Sequence, residues 1–433
     1  MYAFDHSVSE WPVGPAKDAE APSIGPEQHG ARRETHRLAV RLPPALAFLP
    51  SHGVPPQFLL HALHEGAYLR ERPENVLLAS GRISEEAYYR ALARHLGLRF
   101  LETLPELHEG ASFPQTLVAG IAPVDRNKGQ TDDTPDFIFA PRGRALGEFL
   151  VMHRRGHLPR GRNAITTPTK LTRHLMHHRE EVIAARASNG LPDLLGDAWS
   201  AKRWTSRRAA AVLLALGLLL GTAWWAAGAL WSLLCLIAGH LFAGFTSLRL
   251  VAVAASCKLS SLTAPQALND PDLPVYSVIV ALYREAASVR PLTAALARLD
   301  YPKSRLDMIL VVEADDAETL GALEAQDLPA HYRILVAPPG VPRTKPRALN
   351  IALPLVRGAY VCVFDAEDIP DPGQLREAAD CFATAPVEVA CLQGRLCIDN
   401  GGDGWLARCF SFEYAALFDL SLIHISEPTR PER

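Results

Sequence analysis

"YVCVFDAEDIPDP", residues 360 to 372, places three acidic side chains directly after five residues fit for a buried strand. Ionised carboxylates are expensive to desolvate and rarely gather beside a core without a partner. The run therefore reads as a strand ending in Asp365, Glu367 and Asp368, which wait for a cation or a cationic ligand.

Three further runs share the character of Tyr360 to Phe364. "SVIVAL" (277 to 282), "MILVV" (308 to 312) and "RILVA" (333 to 337) are continuous and rich in β-branched residues, as suits strands buried on both faces. Helical stretches near 288 to 299, 316 to 325 and 346 to 356 separate them, the last opened by Pro346 at a tolerated first-turn position. After the Pro-rich linker "NDPDLP" (269 to 274) the chain thus predicts βαβ units and an α/β fold with a mostly parallel, doubly wound sheet.

Ligands of such sheets sit beyond the carboxyl ends of the strands. The four strands deliver there, in turn, Arg284 and Glu285; Glu313, Asp315 and Asp316; Lys345 and Arg347; and Asp365, Glu367 and Asp368. Two acidic clusters and a basic loop on one edge suit a divalent cation, Mg²⁺ or Mn²⁺, holding a phosphorylated nucleotide. No GxGxxG follows the first strand and no GxxxxGK[ST] occurs, which disfavours a dinucleotide dehydrogenase and a P-loop NTPase. A nucleotidyltransferase would share the metal and the edge, but its usual glycine-rich loop is missing.

The remainder of the chain sets the context. Composition is ordinary, 48% hydrophobic and 21% charged with a net charge of -3, and excludes the strong basic excess of a nucleic-acid binder. Residues 1 to 35 are polar, carry no signal peptide and read as disordered. Residues 36 to 200 read as a mainly helical domain: Ser84 is an N-cap, Glu85 and Glu86 favour the helix dipole, Tyr88, Leu92 and Leu96 make one face, and Gly97 is the C-cap. The basic stretch "HRRGHLPRGR" (153 to 162) reads as a solvated surface, and His174, His177 and His178 share a helical face without a carboxylate or cysteine to complete a metal site. The seven cysteines lack paired spacing and read as small buried hydrophobes in a reducing compartment.

From Ala209 to Leu248 there is no Asp, Glu, Lys or Arg. One helix of that length would be about twice the hydrocarbon thickness, so residues 209 to 255 predict two transmembrane helices turning near Gly228, among Trp224, Trp225 and Trp231. Lys202, Arg203, Arg207 and Arg208 before the pair, and Arg249 and Lys258 after it, put both soluble parts on the cytoplasmic side.

"SVIVALYRE", "VVEADDAET", "PRTKPRALNIAL", "RGAYVCVFDAEDIPDPGQL" and "FSFEYAALFD" resemble successive blocks of family 2 glycosyltransferases, nearest to the cellulose-synthase-like membrane branch, from about Pro274 to Asp419. The resemblance implies a GT-A fold in a bacterial inner-membrane protein. It also implies transfer of a sugar, with inversion, from a nucleoside-diphosphate donor such as a UDP-sugar to a polysaccharide or lipid acceptor. Carried over, Ala281, Leu282, Tyr283, Arg284 and Glu285 would line the nucleotide, with Asp316 at the base end of the pocket, Glu313 nearby and Lys345 facing the diphosphate. Asp365 and Glu367 would hold the two acidic positions of the DxD motif with Asp368 beside them, leaving open whether Glu367 or Asp368 meets the metal. Asp371 and Pro372 read as a turn and helix start, and Glu413 and Tyr414 as helix packing.

Two further resemblances shape the expectations. The stretch 75 to 102 is similar to the N-terminal domain of type II secretion ATPases, which in some relatives binds cyclic di-GMP. Pro73 and Glu74 stand where ligand-binding versions carry Leu-Gly, so a docking domain, or a regulatory module binding that dinucleotide or a protein partner, are the alternatives. Residues 420 to 430, "LSLIHISEPTR", look like a translated sequencing adapter. On that reading native sequence stops near Asp419, residues 420 to 433 are an artefact, and the family's general base is expected downstream, leaving this chain inactive.

Overall fold

The computed structural model of the chain describes residues 42–125, 134–158, 162–195, 206–256, 267–394, 396–398 and 400–415. The expected disordered segment, the expected adapter tail and Cys257 lie outside the described residues. From Leu42 onward the chain is one compact unit.

The first half opens with helices α1 (Pro56–Leu69), α2 (Pro73–Ala79) and α3 (Glu85–Leu96). The ends of α3 follow their chemistry: Ser84 Oγ accepts the Ala87 N–H at 3.2 Å, and Gly97 closes the helix at φ 66°. Then come β1 (Arg99–Phe100), α4 (Gln115–Ala119), β2 (Ile121–Pro123), β3 (Phe137–Phe139), α5 (Gly143–Arg154), β4 (Asn163–Ile165), α6 (Pro168–His178) and α7 (Glu180–Leu195). The strands form a mixed sheet in the order β1-β4-β3-β2, in which only β2 and β3 run antiparallel. The expectation of a mainly helical domain missed this sheet, because strands of two or three residues leave no alternation to read.

The uncharged stretch folds as α8 (Ser206–Trp225) and α9 (Ala227–Ser256), broken at Ala226, two residues before the expected turn. Their apolar side chains face outward, with Trp224 and Trp225 each 92% exposed. Among the described residues one helix, Ala227–Val251, is long and apolar enough to cross a membrane.

The four quoted runs become β5 (Tyr276–Leu282), β6 (Leu306–Glu313), β7 (Tyr332–Ala337) and β8 (Tyr360–Phe364), all parallel, in the order β7-β6-β5-β8. Helices α10 (Ala286–Ala297), α11 (Ala317–Glu324) and α12 (Lys345–Ala352) connect them, and α13 (Gln374–Thr384) and α14 (Trp405–Ala415) follow. On one face Val278, Val280, Leu310 and Val312 pack with Leu292, Leu296 and Leu375; on the other Ile279, Ile309 and Val311 pack with Ile351 of α12 and Ile183 and Ala187 of α7. Each such Leu, Ile or Val contributes roughly 1.5–3 kcal/mol through burial. The first half therefore supplies the second cover of the sheet.

Polar contacts join the halves as well. Arg305 is buried and donates to Leu69 O at the carboxyl end of α1, while the His331 imidazole bonds Ala79 O, at the carboxyl end of α2, at 3.2 Å. Both donors meet the negative end of a helix dipole. At the amino end of the sheet, Asp307 is fully buried and accepts from Ser277 Oγ (2.8 Å), from Arg333 (2.9 and 2.7 Å) and from Arg357 (3.1 and 2.7 Å). Burial pushes its carboxyl up, but the two guanidinium groups outweigh it and hold it well below the usual carboxylate range.

Three expectations need correction. β8 is not buried on both faces: Val361 and Val363, in register with Ser277 and Ile279, are 40% and 43% exposed, since no described helix covers that side of the sheet's edge. No residue of α14 is buried: Tyr414 is half-buried with its ring 6.1 Å from that of Phe410 on the same helix, as helix packing implies, but Glu413 is exposed and does not pack. Cys235, Cys391, Cys397 and Cys409 are exposed, because α9 and the segment after α13 turn their apolar runs outward, and Cys362 and Cys381 are half-buried.

Candidate functional site

The chain passes from β5 to β6 to β7 in one direction and then returns to place β8 on the other side of β5. That reversal opens a crevice at the carboxyl ends of β5 and β8, the place where wound sheets take ligands. The edge is built from the turn after each strand.

After β5, Tyr283 is half-buried and Arg284 adopts a left-handed backbone, φ 59°, which a residue with a Cβ holds only under constraint. Asp316 supplies the constraint. Its Oδ2 accepts the Arg284 N–H at 2.5 Å and its Oδ1 accepts the Thr319 N–H at 3.1 Å, capping α11. Burial raises the Asp316 carboxyl, and these amides together bring it below its ordinary value. Glu285 donates its N–H to Thr319 Oγ1 at 3.0 Å and accepts from Ser288 Oγ at 3.0 Å. Leu282 is buried in the core on one face of the sheet and half-buried Ala281 packs against the core on the other, so both offer the edge their backbone alone.

The loop between β7 and α12, "PPGVPRT" (338 to 344), crosses this edge and leads into Lys345, the first residue of α12. Arg343 pairs with Asp315 at 2.7 Å and donates to the Tyr283 hydroxyl at 2.9 Å, and the guanidinium groups of Arg343 and Arg284 lie 5.4 and 5.2 Å from the Tyr283 ring centre. Lys345 Nζ donates to Asp365 Oδ1 at the end of β8. Asp365 N–H in turn donates to Asp368 Oδ2 at 2.7 Å, closing a tight acidic turn, with Glu367 exposed between them. Glu313, at the end of β6, is buried and paired with buried Arg347 at 3.2 Å. Asp371 caps the next turn, accepting the Gly373 N–H at 2.8 Å.

Arg343 is the edge group that residue reading missed; Glu313 and Arg347 were both expected at this edge, but not as a pair. The signal was the clustering of Arg343, Lys345 and Arg347 after the third strand, but spacing does not say which acid each one meets.

A divalent cation has a partial fit here. Asp365 already carries a cationic group, and Asp368 is turned toward it. Among the described residues no group of three or more His, Cys, Asp or Glu side chains converges closely enough to hold a metal unaided. The donor set thus suits a hard ion that takes one or two carboxylates and completes its shell with phosphate oxygens and water.

Other sequence candidates fall elsewhere. His174 Nε2 bonds Pro105 O at 2.9 Å and stacks on His178, while exposed His177 meets Glu180 at 3.6 Å. Arg154 and Arg155 are exposed, as expected of a solvated basic stretch. Glu74 is buried, which pushes its carboxyl above the ordinary value.

Against known proteins, the family described as "Glycosyltransferase like family 2" matches residues 271–426, which marks the second half of the chain as a glycosyltransferase family 2 domain. The probable glycosyltransferase YdaM of Bacillus subtilis (strain 168) is 29% identical over 107 residues, 24% of this chain and 25% of that protein. The chain thus spans about a quarter of the curated relative it matches. Among solved structures, the mannosyltransferase PcManGT from Pyrobaculum calidifontis in complex with GDP-Man and Mn²⁺ is 26% identical, with 34% of this chain and 43% of that one covered and a TM-score of 0.29. S. aureus TarS 1-349 is 21% identical, with 28% and 38% covered and a TM-score of 0.22.

Proposed function

We propose that this protein is a membrane-anchored, inverting glycosyltransferase that moves a sugar from a nucleoside diphosphate, in the first instance UDP, to a carbohydrate or lipid acceptor. One observation carries the reading: Lys345 and Asp365, the basic and acidic groups that a diphosphate donor needs, meet at the crevice between β5 and β8 inside residues 271–426. Departure of a nucleoside diphosphate builds negative charge on its phosphates. Lys345 is the residue assigned to neutralise it, and its helix begins at that residue, so the positive end of the α12 dipole adds to the effect.

Asp365, with Glu367 or Asp368, would hold Mg²⁺ or Mn²⁺, which when bound supplies Lewis-acid compensation of the same charge. Asp316, Glu313 and the Tyr283–Arg343 contact lie toward the ends of β5 and β6, where the nucleoside is assigned. The acceptor hydroxyl needs a general base, a carboxylate on the opposite face of the sugar, and no described residue is assigned that role. For the membrane anchor we assign α9 with α8 as its hairpin partner, both soluble halves then facing the cytoplasm. For the first half we assign docking, supported by α7 packing on the helix that carries Lys345.

Calorimetric titration of the full chain in detergent with UDP, with and without Mn²⁺, tests the reading. Manganese is expected to tighten binding at least about tenfold, and Asp365→Ala to abolish that gain. Binding of UDP that ignores manganese and is unchanged in Asp365→Ala and Glu367→Ala would sink it.

A further inference from the structure

The segment from Pro338 to Arg347 carries four prolines, at 338, 339, 342 and 346. Proline has no N–H, so this loop is poor in backbone donors, with Arg347 N–H to Thr344 O at 3.1 Å the bond it makes within itself, and its path leans on side-chain donors. The buried guanidinium of Arg347 supplies one. Its Nη2 donates to Pro338 O at the start of the loop, while its Nη1 donates to both carboxylate oxygens of Glu313, at 3.3 and 3.2 Å. The group also lies flat against Gly340: a Cβ there would meet Nη2 at 2.5 Å and Nε at 3.0 Å. One guanidinium, 2% exposed, thus ties the end of β6 to the loop that delivers Arg343 to Asp315 and Lys345 to Asp365.

We infer that Arg347 is the positioning residue of the donor edge: it sets the direction of the Glu313 carboxylate and the path of the 338 to 344 loop together, and Gly340 is glycine because the guanidinium occupies the space of a side chain. The inference rests on the proposed donor-binding role of this edge. Arg347 itself is enclosed, so it acts through Glu313, Arg343 and Lys345, the groups placed to touch the donor. Lysine does not substitute for it, since a single ammonium cannot reach a carboxylate and a carbonyl in the fixed fork that guanidinium provides. The outer wall of the loop has a weaker tie, Ser188 Oγ of α7 donating to Val341 O at 2.9 Å.

The test compares the full-length chain with R347M, R347K and G340A, reading amide hydrogen exchange by residue and UDP affinity in the presence of Mn²⁺. The protected amides at the two ends of the loop, Ala314 (bonded to Ala337 O at 3.0 Å) and Ala348 (bonded to Thr344 O at 3.2 Å), are expected to exchange at least about tenfold faster in R347M and G340A, with β5 and β6 unchanged. UDP affinity should fall about tenfold in both, and R347K should recover less than half of the loss on a logarithmic scale. Exchange that stays the same in the loop, or rises evenly across the sheet, overturns the inference, as does unchanged UDP affinity beside a loosened loop. Should R347M not fold, G340A decides on the same criteria. If the parent chain binds no nucleoside diphosphate while the loop still loosens locally, the donor reading fails and the positioning role stands.

Discussion

The two ends of the second sheet carry charge in opposite ways. At the amino end, Asp307 has no exposure and all its neighbours close on it: Ser277, Arg333, Arg357 and the Arg357 N–H at 3.2 Å. At the carboxyl end, Lys345 and Asp365 pair with side chains 38% and 53% exposed, and Arg343 and Asp315 with 42% and 47%. Arg357 is itself 41% exposed, but the carboxylate it shares with Arg333 is not, and a network centred on a fully buried charge resists exchange of partners, because breaking it leaves that charge unpaired. An open pair is worth little and gives up either partner readily. The same residue types therefore hold the fold at one end and remain available to a ligand at the other.

The largest effect that would break this comparison is at Asp307. Asp307→Ala leaves the Arg333 and Arg357 guanidinium groups facing each other without a counter-charge, and should cost about 3–5 kcal/mol, or some 10 °C in Tm. A thermal melt within 3 °C or so of the parent would mean the amino end is not the closed structural network described. Asp365→Ala should do the reverse, moving Tm by about 1 °C or less while removing the manganese-dependent part of UDP binding. A large loss of Tm there would make the carboxyl end structural too.

The same contrast explains what the sequence could say. The strands were legible because β6 is buried along its whole length, and between its charged ends Asp307 and Glu313 the continuous apolar run 308 to 312 records that burial. Which polar residues collect at one edge was legible too, since parallel topology sends every strand's carboxyl end to the same side. The pairings were not. Lys345 with Asp365 and Arg347 with Glu313 depend on the path of a proline-rich loop with no period, and on a cover helix, α7, more than a hundred residues earlier in the chain. The short strands of the first half and the bare face of β8 were illegible for related reasons: two residues carry no alternation, and Val361 and Val363 look like core residues whatever covers them.

Acid should separate the two ends by degree. His331 sits at the amino end of β7, bonded to Ala79 O, with Lys303, Arg357 and Asp307 as its charged neighbours. Burial, with Lys303 and Arg357 adding to it, pushes the imidazole down to about 4 from an ordinary 6.5. The unfolded chain thus takes up a proton that the folded chain refuses, so the stability from neutral His331 is complete above about pH 6.5 and is lost as pH falls toward 4. The loss should reach roughly 2–3 kcal/mol. Melts from pH 7.5 to 4.5 should show His331→Gln, which keeps a donor for Ala79 O, falling less steeply than the parent. Parallel curves would exclude the imidazole as the acid-sensitive part of the amino end.

The smallest effect sharpens the comparison at the other end. Arg284 holds φ 59° because Asp316 clamps its N–H, and a left-handed residue with a Cβ costs about 1 kcal/mol or slightly more. Arg284→Gly removes that cost while keeping the clamp, so Tm should rise by about 1–3 °C, against a small added entropy in the unfolded chain. Its guanidinium contact with the Tyr283 ring disappears at the same time, so UDP binding should weaken two- to threefold, roughly 0.5 kcal/mol. A variant that is both more stable and weaker in binding would place strain and ligand contact on the same residue, as expected of an edge kept open for function. Were Arg284→Gly less stable than the parent, the left-handed turn would instead be held by the arginine side chain, and the carboxyl end would share more of the fold's stability than its exposed ion pairs indicate.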